Sequence, residues 1–402
     1  MALNGVIFDC HVRSKHVLDK NVFDCQVKNS FKANDQRVFV VLGMHRSGTS
    51  AVTRALQTLG VNLGNHLMPA IEGNNDKGFW EDLDIYALNV DLLQALGHDW
   101  HTLSPISEHE IFKLSTLSQF KERAQDLISQ KLSEFKYFGL KDPRIPRLLV
   151  FWNMVFEQLN LKPGYIIAYR SPVSVAHSLA RRNDFDFEKS YLLWYEHMLK
   201  SLALTAHHSR LVVNFDALME DPARQLQRMA AAMGLDFDHE SAEYLEYKSE
   251  FLDPSLRHTH FEPSDLQRDH AAPRTVKELN ELLLRLSNDS NSFNSASIQS
   301  WIENAHDQLQ GMQHCMPYMR KLEEKLMQMS RSVHLQHAQI MDLQALANKQ
   351  EAIISAHESL VSEKDKELAR LHQNYNKLDT EYQHLRQSLP ARIMQGIQKL
   401  LH

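Results

Sequence analysis

The sequence predicts an α/β domain of three layers, helices on both faces of a mostly parallel sheet, followed by a long C-terminal coiled-coil helix. Two observations carry the domain and a third the rod. Four short apolar runs, Val38–Leu42, Tyr137–Leu140, Tyr165–Tyr169 and Leu211–Phe215, alternate with helical stretches. Each run is rich in β-branched or aromatic residues and ends in polar or Gly/Pro punctuation, the pattern of strands buried on both faces and joined by crossover helices. Behind them an apolar register that alternates steps of four and three runs from Leu322 to Leu389.

The 402 residues exceed the roughly 250–300 at which single cores stop growing, so one large domain plus an additional element is expected. A net charge of -6, from 44 basic and 50 acidic residues mixed along the chain, leaves no electrostatic footprint for nucleic acid. Any bound anion therefore needs a local site. Cys10, Cys25 and Cys315 show neither metal-ligand spacing nor the density of a disulfide scaffold, which favours a reducing, cytoplasmic setting and offers no zinc site. No signal-peptide pattern opens the chain, and no stretch of 18 apolar residues occurs, so neither secretion nor a membrane span is expected.

The chain divides into an N-terminal extension (1–36), the α/β domain (37–262), a linker with helices (263–316), the coiled coil (317–389) and an amphipathic tail (390–402). Phe8-Asp9-Cys10-His11-Val12 and Phe23-Asp24-Cys25-Gln26-Val27 echo each other within the extension and receive no function. The Ser/Asn-rich stretch SNDSNSFNSASIQS (287–300) reads as linker. In the rod, Leu326, Met329, Val333, Ile340, Leu343, Ile354, Val361 and Leu368 share one seam of period 3.5 that continues through Tyr375 and Tyr382. Gln336, Gln350, His357 and Lys364 interrupt it, and such polar residues fix register and oligomeric state. The rod would be roughly 100 Å long, ends at Pro390, and predicts a homo-oligomer. The tail ARIMQGIQKLLH reads as an amphipathic helix suited to peripheral contact with a membrane.

VFVVLGMHRSGTSAVTRALQTLG sets a strand, a loop from Gly43 to Ser50 and a helix in direct succession. Glycines let the backbone approach a ligand, and amides at the helix N-terminus point at bound oxygens. The Gly43-to-Gly48 spacing makes the domain P-loop-like, but Thr49 stands where the lysine of a triphosphate-binding loop belongs, which disfavours an ATPase or kinase.

Arg46-Ser47-Gly48-Thr49 instead resembles the 5′-phosphosulfate loop of sulfotransferases that use 3′-phosphoadenosine 5′-phosphosulfate (PAPS). The resemblance spans about residues 37–260 and is nearest to bacterial enzymes of the GMHRSGTS type. It implies that Arg46 neutralises the phosphosulfate bridge while Ser47, Gly48, Thr49 and Ser50 hold the 5′-phosphate. In GYIIAYRSPVSVAHSLARR, Arg170 and Ser178 match the pair that grips the 3′-phosphate in this family, the group that separates PAPS from ATP. LVVNFDALMEDPARQLQRMAAAMGL resembles the family's sheet-closing strand, acidic turn and helix, and Arg257 in Ser255-Leu256-Arg257-His258 stands where a late basic contact often occurs. One departure is plain: in place of the Lys-Thr-His and late Arg-Lys-Gly segments of the cytosolic small-molecule branch, only Lys141-Asp142-Pro143-Arg144 is present.

Sulfuryl transfer requires charge neutralisation on the leaving phosphate, an in-line acceptor and a base, and it needs no metal. Arg46 and Lys141 are the expected cations. By the resemblance, Glu81 in EGNNDKGFWEDLDIYALNV is the expected base, with Asp142 and Glu72 as rivals and a first-turn helix carboxylate as the alternative role of Glu81. The Phe79-Trp80 pair is read as core, and His45 receives no role. The expected reaction moves a sulfuryl group from PAPS to a hydroxyl or amine of a glycan, lipid-linked glycan or small metabolite. A P-loop kinase-like protein and an inactive coiled-coil scaffold are the other classes; the missing loop lysine opposes the first, and Arg46 the second.

Overall fold

The computed structural model describes residues 36–70, 77–252, 261–312, 315–388 and 391–402. The N-terminal extension through residue 35, the rival carboxylate Glu72, the late basic candidate Arg257 and the stop at Pro390 lie outside these residues.

Four strands, β1 (Arg37–Leu42), β2 (Tyr137–Lys141), β3 (Gly164–Tyr169) and β4 (Arg210–Asn214), form a wholly parallel sheet in the order β2-β1-β3-β4 among the described residues. Val40 pairs with Leu140 on one side and Tyr165 on the other, and Ile167 pairs with Val212. The expected fourth run reached Phe215, but β4 stops at Asn214. There the Asn214 side chain accepts a hydrogen bond from the Asp216 amide at 2.9 Å, capping a helix that takes Phe215 as its first residue.

After β1 comes α1 (Thr49–Thr58). The helices α2 (Leu83–Ala95), α3 (Glu108–Lys113) and α4 (Leu117–Glu134) lead into β2, and α5 (Leu149–Gln158) joins β2 to β3. The connection from β3 to β4 holds α6 (Pro172–Asn183) and α7 (Phe187–Ala203); α8 (Phe215–Glu220), α9 (Pro222–Met233) and α10 (Ala242–Glu246) follow β4. Beyond them lie α11 (Pro263–Arg268), α12 (Arg274–Asn288), α13 (Ala296–Gly311), α14 (Met316–Ser388) and α15 (Ala391–Leu400).

Strand alternation distributes the layers. Val38, Val40, Leu42, Tyr165, Ile167 and Val212 enter one core with Leu88, Ile128, Trp152, Leu199 and Leu283 from α2, α4, α5, α7 and α12. Phe39, Val41, Ile166, Ala168, Leu211 and Val213 enter a second core with Val52, Leu56, Leu226 and Met229 from α1 and α9. The sheet is therefore covered on both faces, as its near-continuous apolar strands require.

The segment 263–316 is not a linker. Helix α12 buries Val276, Leu279, Leu283 and Leu286, and α13 buries Ile298, Ile302, Ala305 and Leu309. Between them a 3₁₀ turn, Ser290–Asn294, buries Phe293, whose ring lies 4.2 Å from the Arg210 guanidinium. Ser/Asn composition hid two apolar stripes at helical spacing, and composition is the weaker signal when such a stripe is present. Asn280 accepts the Tyr169 hydroxyl at 2.7 Å, tying α12 directly to the sheet. The chain separates into compact units at Arg320 and Lys321, later than the boundaries read from the sequence. Within the first unit, Arg320 donates to Glu110 and to His98.

In the second unit α14 continues without interruption to Ser388. Its seam is exposed, from 42% at Leu322 to 69% at Tyr375. Among the described residues no helix is long and apolar enough to cross a membrane. Because α13 belongs to the core, Ile302→Ala should lower the unfolding free energy by about 2–4 kcal/mol in a urea titration. A change below about 0.5 kcal/mol, the usual size for a surface position, would mean that α13 adds nothing to the core.

Candidate functional site

The loop after β1 closes onto the carboxyl edge of the sheet because two of its residues lack side chains. A Cβ on Gly43, at φ 153°, would lie 2.7 Å from the carbonyl oxygen of Ala168 in β3. One on Gly48, at φ 80°, would overlap the Phe215 ring, 2.7 Å from its Cγ. Between them Arg46 takes φ 69°, a left-handed conformation that a non-glycine residue adopts at a cost of about 1–3 kcal/mol when its surroundings hold it. What holds it is visible: the Arg46 Nε donates to Ser178 Oγ of α6 at 2.8 Å.

Helix α1 starts from Gly48 with no side-chain cap, where first-turn amides have no acceptor within the helix. Thr49, in the position of the absent lysine, is buried, and its methyl group packs against Gly43. Ser47 is fully buried, and its Oγ has no hydrogen-bond partner among the described residues.

Arg170 leaves the end of β3 and is buried, its guanidinium 4.6 Å from the centroid of Phe215. The same ring bars a side chain at Gly48, so the loop and Arg170 both lie against one aromatic residue. Its main-chain oxygen accepts from Trp194 at 3.2 Å. Ser178, two turns along α6 from Pro172, already meets Arg46. The structure thus brings Arg46, Ser178 and the loop together, with Arg170 one ring away.

Lys141 and Glu81 form a buried ion pair at 2.7 Å. Lys141 also donates to Ser50 Oγ at 3.3 Å and to the Phe79 carbonyl, which fixes the pair against α1. Three carboxylates crowd this region, and they differ in what remains of their hydrogen-bonding capacity. Asp82 caps α2 by accepting from Asp84 and Ile85 and takes Lys131 at 2.5 Å. Asp142 accepts from Asn89, from the Arg144 amide and from the Arg144 guanidinium. Glu81 alone of the three keeps a buried oxygen, Oε2, without a partner among the described residues. Burial pushes its carboxyl above the ordinary value, with Lys141 pulling the other way and Asp142 adding to the rise.

Glu81 is not a first-turn helix carboxylate, since α2 begins at Leu83 behind the Asp82 cap. Its carbonyl accepts from the Met68 amide at 2.8 Å, and the preceding Trp80 is also left-handed, at φ 62°. Phe79 and Trp80 are both partly buried; Trp80 packs against the second core, 6.0 Å from Phe251, beneath the Arg54 guanidinium.

The neighbourhood is cationic beyond the sequence expectation. Burial and Arg181 depress Arg46, while burial, Arg46 and Arg144 push Arg182 down to about 10. Burial and the adjacent cations Arg144 and Arg182 hold His45 well below its usual range. The neutral imidazole lies 4.3 Å from Trp100, its plane tilted by 50°. Arg182 and Trp100 were missed in the sequence, although Arg182 stands four residues from Ser178 and so on the same helical face; nothing local marks Trp100.

No family model and no curated protein matches the chain. Among solved structures, the sulfotransferase domain of the olefin synthase from Synechococcus PCC 7002 is similar at 17% identity, covering 67% of this chain and 98% of that one, with a TM-score of 0.34. The sulfotransferase domain from the curacin biosynthetic pathway is similar at 15% identity, covering 68% and 97%, also at 0.34. Function therefore rests on the geometry of the site itself.

Gly48→Ala would need both a forbidden dihedral and room inside the Phe215 ring. The variant should lose roughly 2–4 kcal/mol of stability, seen as a lowered thermal midpoint; an unchanged midpoint would mean that the loop does not press on the sheet in solution.

Proposed function

We propose that the chain is a sulfotransferase that takes a sulfuryl group from PAPS and passes it to a hydroxyl or amine of an acceptor. The observation that carries this reading is the convergence of an uncapped, glycine-based helix start with Arg46, Ser178 and Arg170 at one edge of the sheet, beside the Lys141–Glu81 pair. Such a loop suits an anion held by main-chain amides. The Gly43 and Gly48 positions, where no side chain fits, and the orphaned buried hydroxyl of Ser47 support a phosphate seated there. A second cationic position, Arg170 with Ser178, suits a second phosphate, and the buried Thr49 leaves no lysine for a triphosphate.

In this reading bound PAPS supplies the activated sulfuryl group. Amides and hydroxyls of Ser47, Gly48, Thr49 and Ser50 hold the 5′-phosphate, and Arg46 turns from Ser178 towards the bridging oxygen. Arg170 and Ser178 grip the 3′-phosphate. Lys141 neutralises charge on the departing phosphate, a role suited to a fixed cation in a site that excludes water. The free Oε2 of Glu81 accepts the acceptor's proton. The acceptor class, a glycan, lipid-linked glycan or small metabolite, belongs to the same proposal, as does a peripheral membrane position through α15. The seam of α14 serves a homo-oligomer, because an apolar stripe repeating at 3.5 residues matches a second copy of itself.

Calorimetry should show 3′-phosphoadenosine 5′-phosphate binding well ahead of ADP. Arg170→Ala should erase that preference by a factor of about 10–100, the range of a lost charge-assisted hydrogen bond. Equal binding of the two nucleotides by the unaltered protein would sink the reading. Glu81→Gln should cut turnover roughly 10²–10⁴-fold with nucleotide binding intact. The sign of the pH dependence follows from the raised carboxyl. The base works ionised, so the rate should fall as pH drops through a value above the ordinary 4.5, and a limb at or below that value would exclude Glu81. Light scattering should find oligomers that do not dissociate on dilution and that vanish when residues 321–402 are removed; a monomeric full chain would refute the seam's role.

A further inference from the structure

Arg182 and Arg144 bring positive charge that the proposed donor site does not employ. Arg182 lies ten residues into α6 from Pro172, roughly 15 Å along the axis from the end where Arg170 stands. Its guanidinium sits 5.4 Å from the centroid of Trp100, and its Nε donates to Asn183 at 2.6 Å. Among the described residues no carboxylate pairs with it. Trp100 is itself wedged between His45 at 4.3 Å and Phe185 at 5.6 Å. His45 is tilted by 50° to the Trp100 ring and Phe185 by 26°, so Trp100 is a packed wall beside Arg182.

Arg144 packs over Tyr86 at 4.6 Å and pairs with Asp142 at 3.0 Å. It is near enough to feel the charge of Glu81, and Arg182 in turn feels Arg144 and Arg46. Guanidinium groups from the phosphate loop, the turn after β2 and the end of α6 thus lie close enough to repel one another, Arg46 bonded to Ser178 and Arg144 to Asp142. Like charges gathered this way are unfavourable until an anion enters.

We propose that Arg182, backed by Arg144, binds an anionic group of the acceptor, so that the acceptor is an acidic hydroxylated molecule, a carboxylate-bearing sugar in its simplest form. This rests on the sulfotransferase reading of the same site. Arg182 anchors the carboxylate, Arg144 bridges towards the base, and a neighbouring hydroxyl comes to Glu81 Oε2. A guanidinium suits the task because it presents paired donors to a carboxylate and keeps its charge when partly buried.

The test compares p-nitrophenyl β-D-glucuronide with p-nitrophenyl β-D-glucoside, an acidic and a neutral ring of the same shape, by calorimetry on the full chain with and without saturating 3′-phosphoadenosine 5′-phosphate. The glucuronide should bind at least about tenfold more tightly, Arg182→Gln should abolish the difference, and Arg182→Lys should keep part of it. Both variants should hold the nucleotide to within about threefold and melt with the unaltered protein. Equal binding of the two glycosides, including no binding of either, overturns the inference. So does an Arg182→Gln variant that loses nucleotide affinity as steeply as glucuronide affinity, since Arg182 would then serve the donor. Should the unaltered protein fail to bind the nucleotide, the donor reading falls alone: a glucuronide preference that depends on Arg182 in the nucleotide-free arm would still stand.

Discussion

The close approach of the Gly43–Ser50 loop to the carboxyl edge of the sheet is the constraint on which the site depends. Gly43 rests on the Ala168 carbonyl and Gly48 on the Phe215 ring, so the loop is flattened between β3 and the start of α8. Flattening forces Arg46 into a left-handed backbone and sends its side chain across to α6, where Ser178 receives it. The cap at Asn214 takes part in the same geometry. By ending β4 one residue early it turns Phe215 into the first residue of α8, and the ring then lies against both Gly48 and Arg170. A single aromatic side chain therefore touches both halves of the site.

Charge supplies the second constraint. The protein as a whole is acidic, at -6, yet around His45 it gathers Arg46, Arg144, Arg182 and Lys141. Arginine tolerates this because its guanidinium stays protonated under partial burial and lies flat on aromatic rings: Arg144 on Tyr86, Arg170 on Phe215, Arg182 on Trp100. The rings restrain the cations, while Arg144 also meets Asp142 at 3.0 Å and Lys141 meets Glu81 at 2.7 Å. Elsewhere the protein balances its buried charges. Glu196 receives both Arg147, at 3.2 Å, and Lys200, at 2.9 Å, and Arg147 further donates to the carbonyls of Asp99 and Ser104. The crowding of like charges around His45 is what favours the proposed reading of an anion site there.

Much of the fold was legible because its signals are local. Each strand was a brief apolar run, and the order strand, glycine loop, helix placed Arg46 to Ser50 correctly at the sheet's edge. Glu81 and Lys141 were named separately from 60 residues apart, but their pairing is a tertiary fact that no spacing encodes. One misreading has a compositional cause: the stretch 287–300 reads as linker from its serines and asparagines, where pattern should decide. Ile298, Ile302, Ala305 and Leu309 form a helical stripe once the polar residues are set aside, and Trp80 packs against the core from a left-handed turn that aromatic character does not reveal. The Trp100 wall was unreadable because the loop carrying it is positioned from outside, by Arg147 reaching the Asp99 carbonyl at 2.7 Å.

The three neighbouring carboxylates differ in the hydrogen-bond partners they lack, and that difference favours Glu81 as the proposed base. Asp82, Glu81 and Asp142 are all buried and all near cations, so neither burial nor charge separates them. Hydrogen-bond capacity does. An ionised carboxylate has about four acceptor positions; Asp82 and Asp142 spend theirs on helix amides, Asn89, Lys131 and Arg144, which fixes the side chains. Glu81 commits only Oε1, to a lysine that also holds Ser50 and the Phe79 carbonyl. Its Oε2 is desolvated without compensation, which costs about 1–3 kcal/mol or more for a charged group. That cost is relieved when a donor arrives, and a hydroxyl approaching Oε2 is such a donor. The same atom that makes the resting site unfavourable is the one a proton-bearing acceptor would satisfy, while Lys141, already bonded to Oε1 and to the first turn of α1, links the proton's destination to the loop where the leaving phosphate would rest.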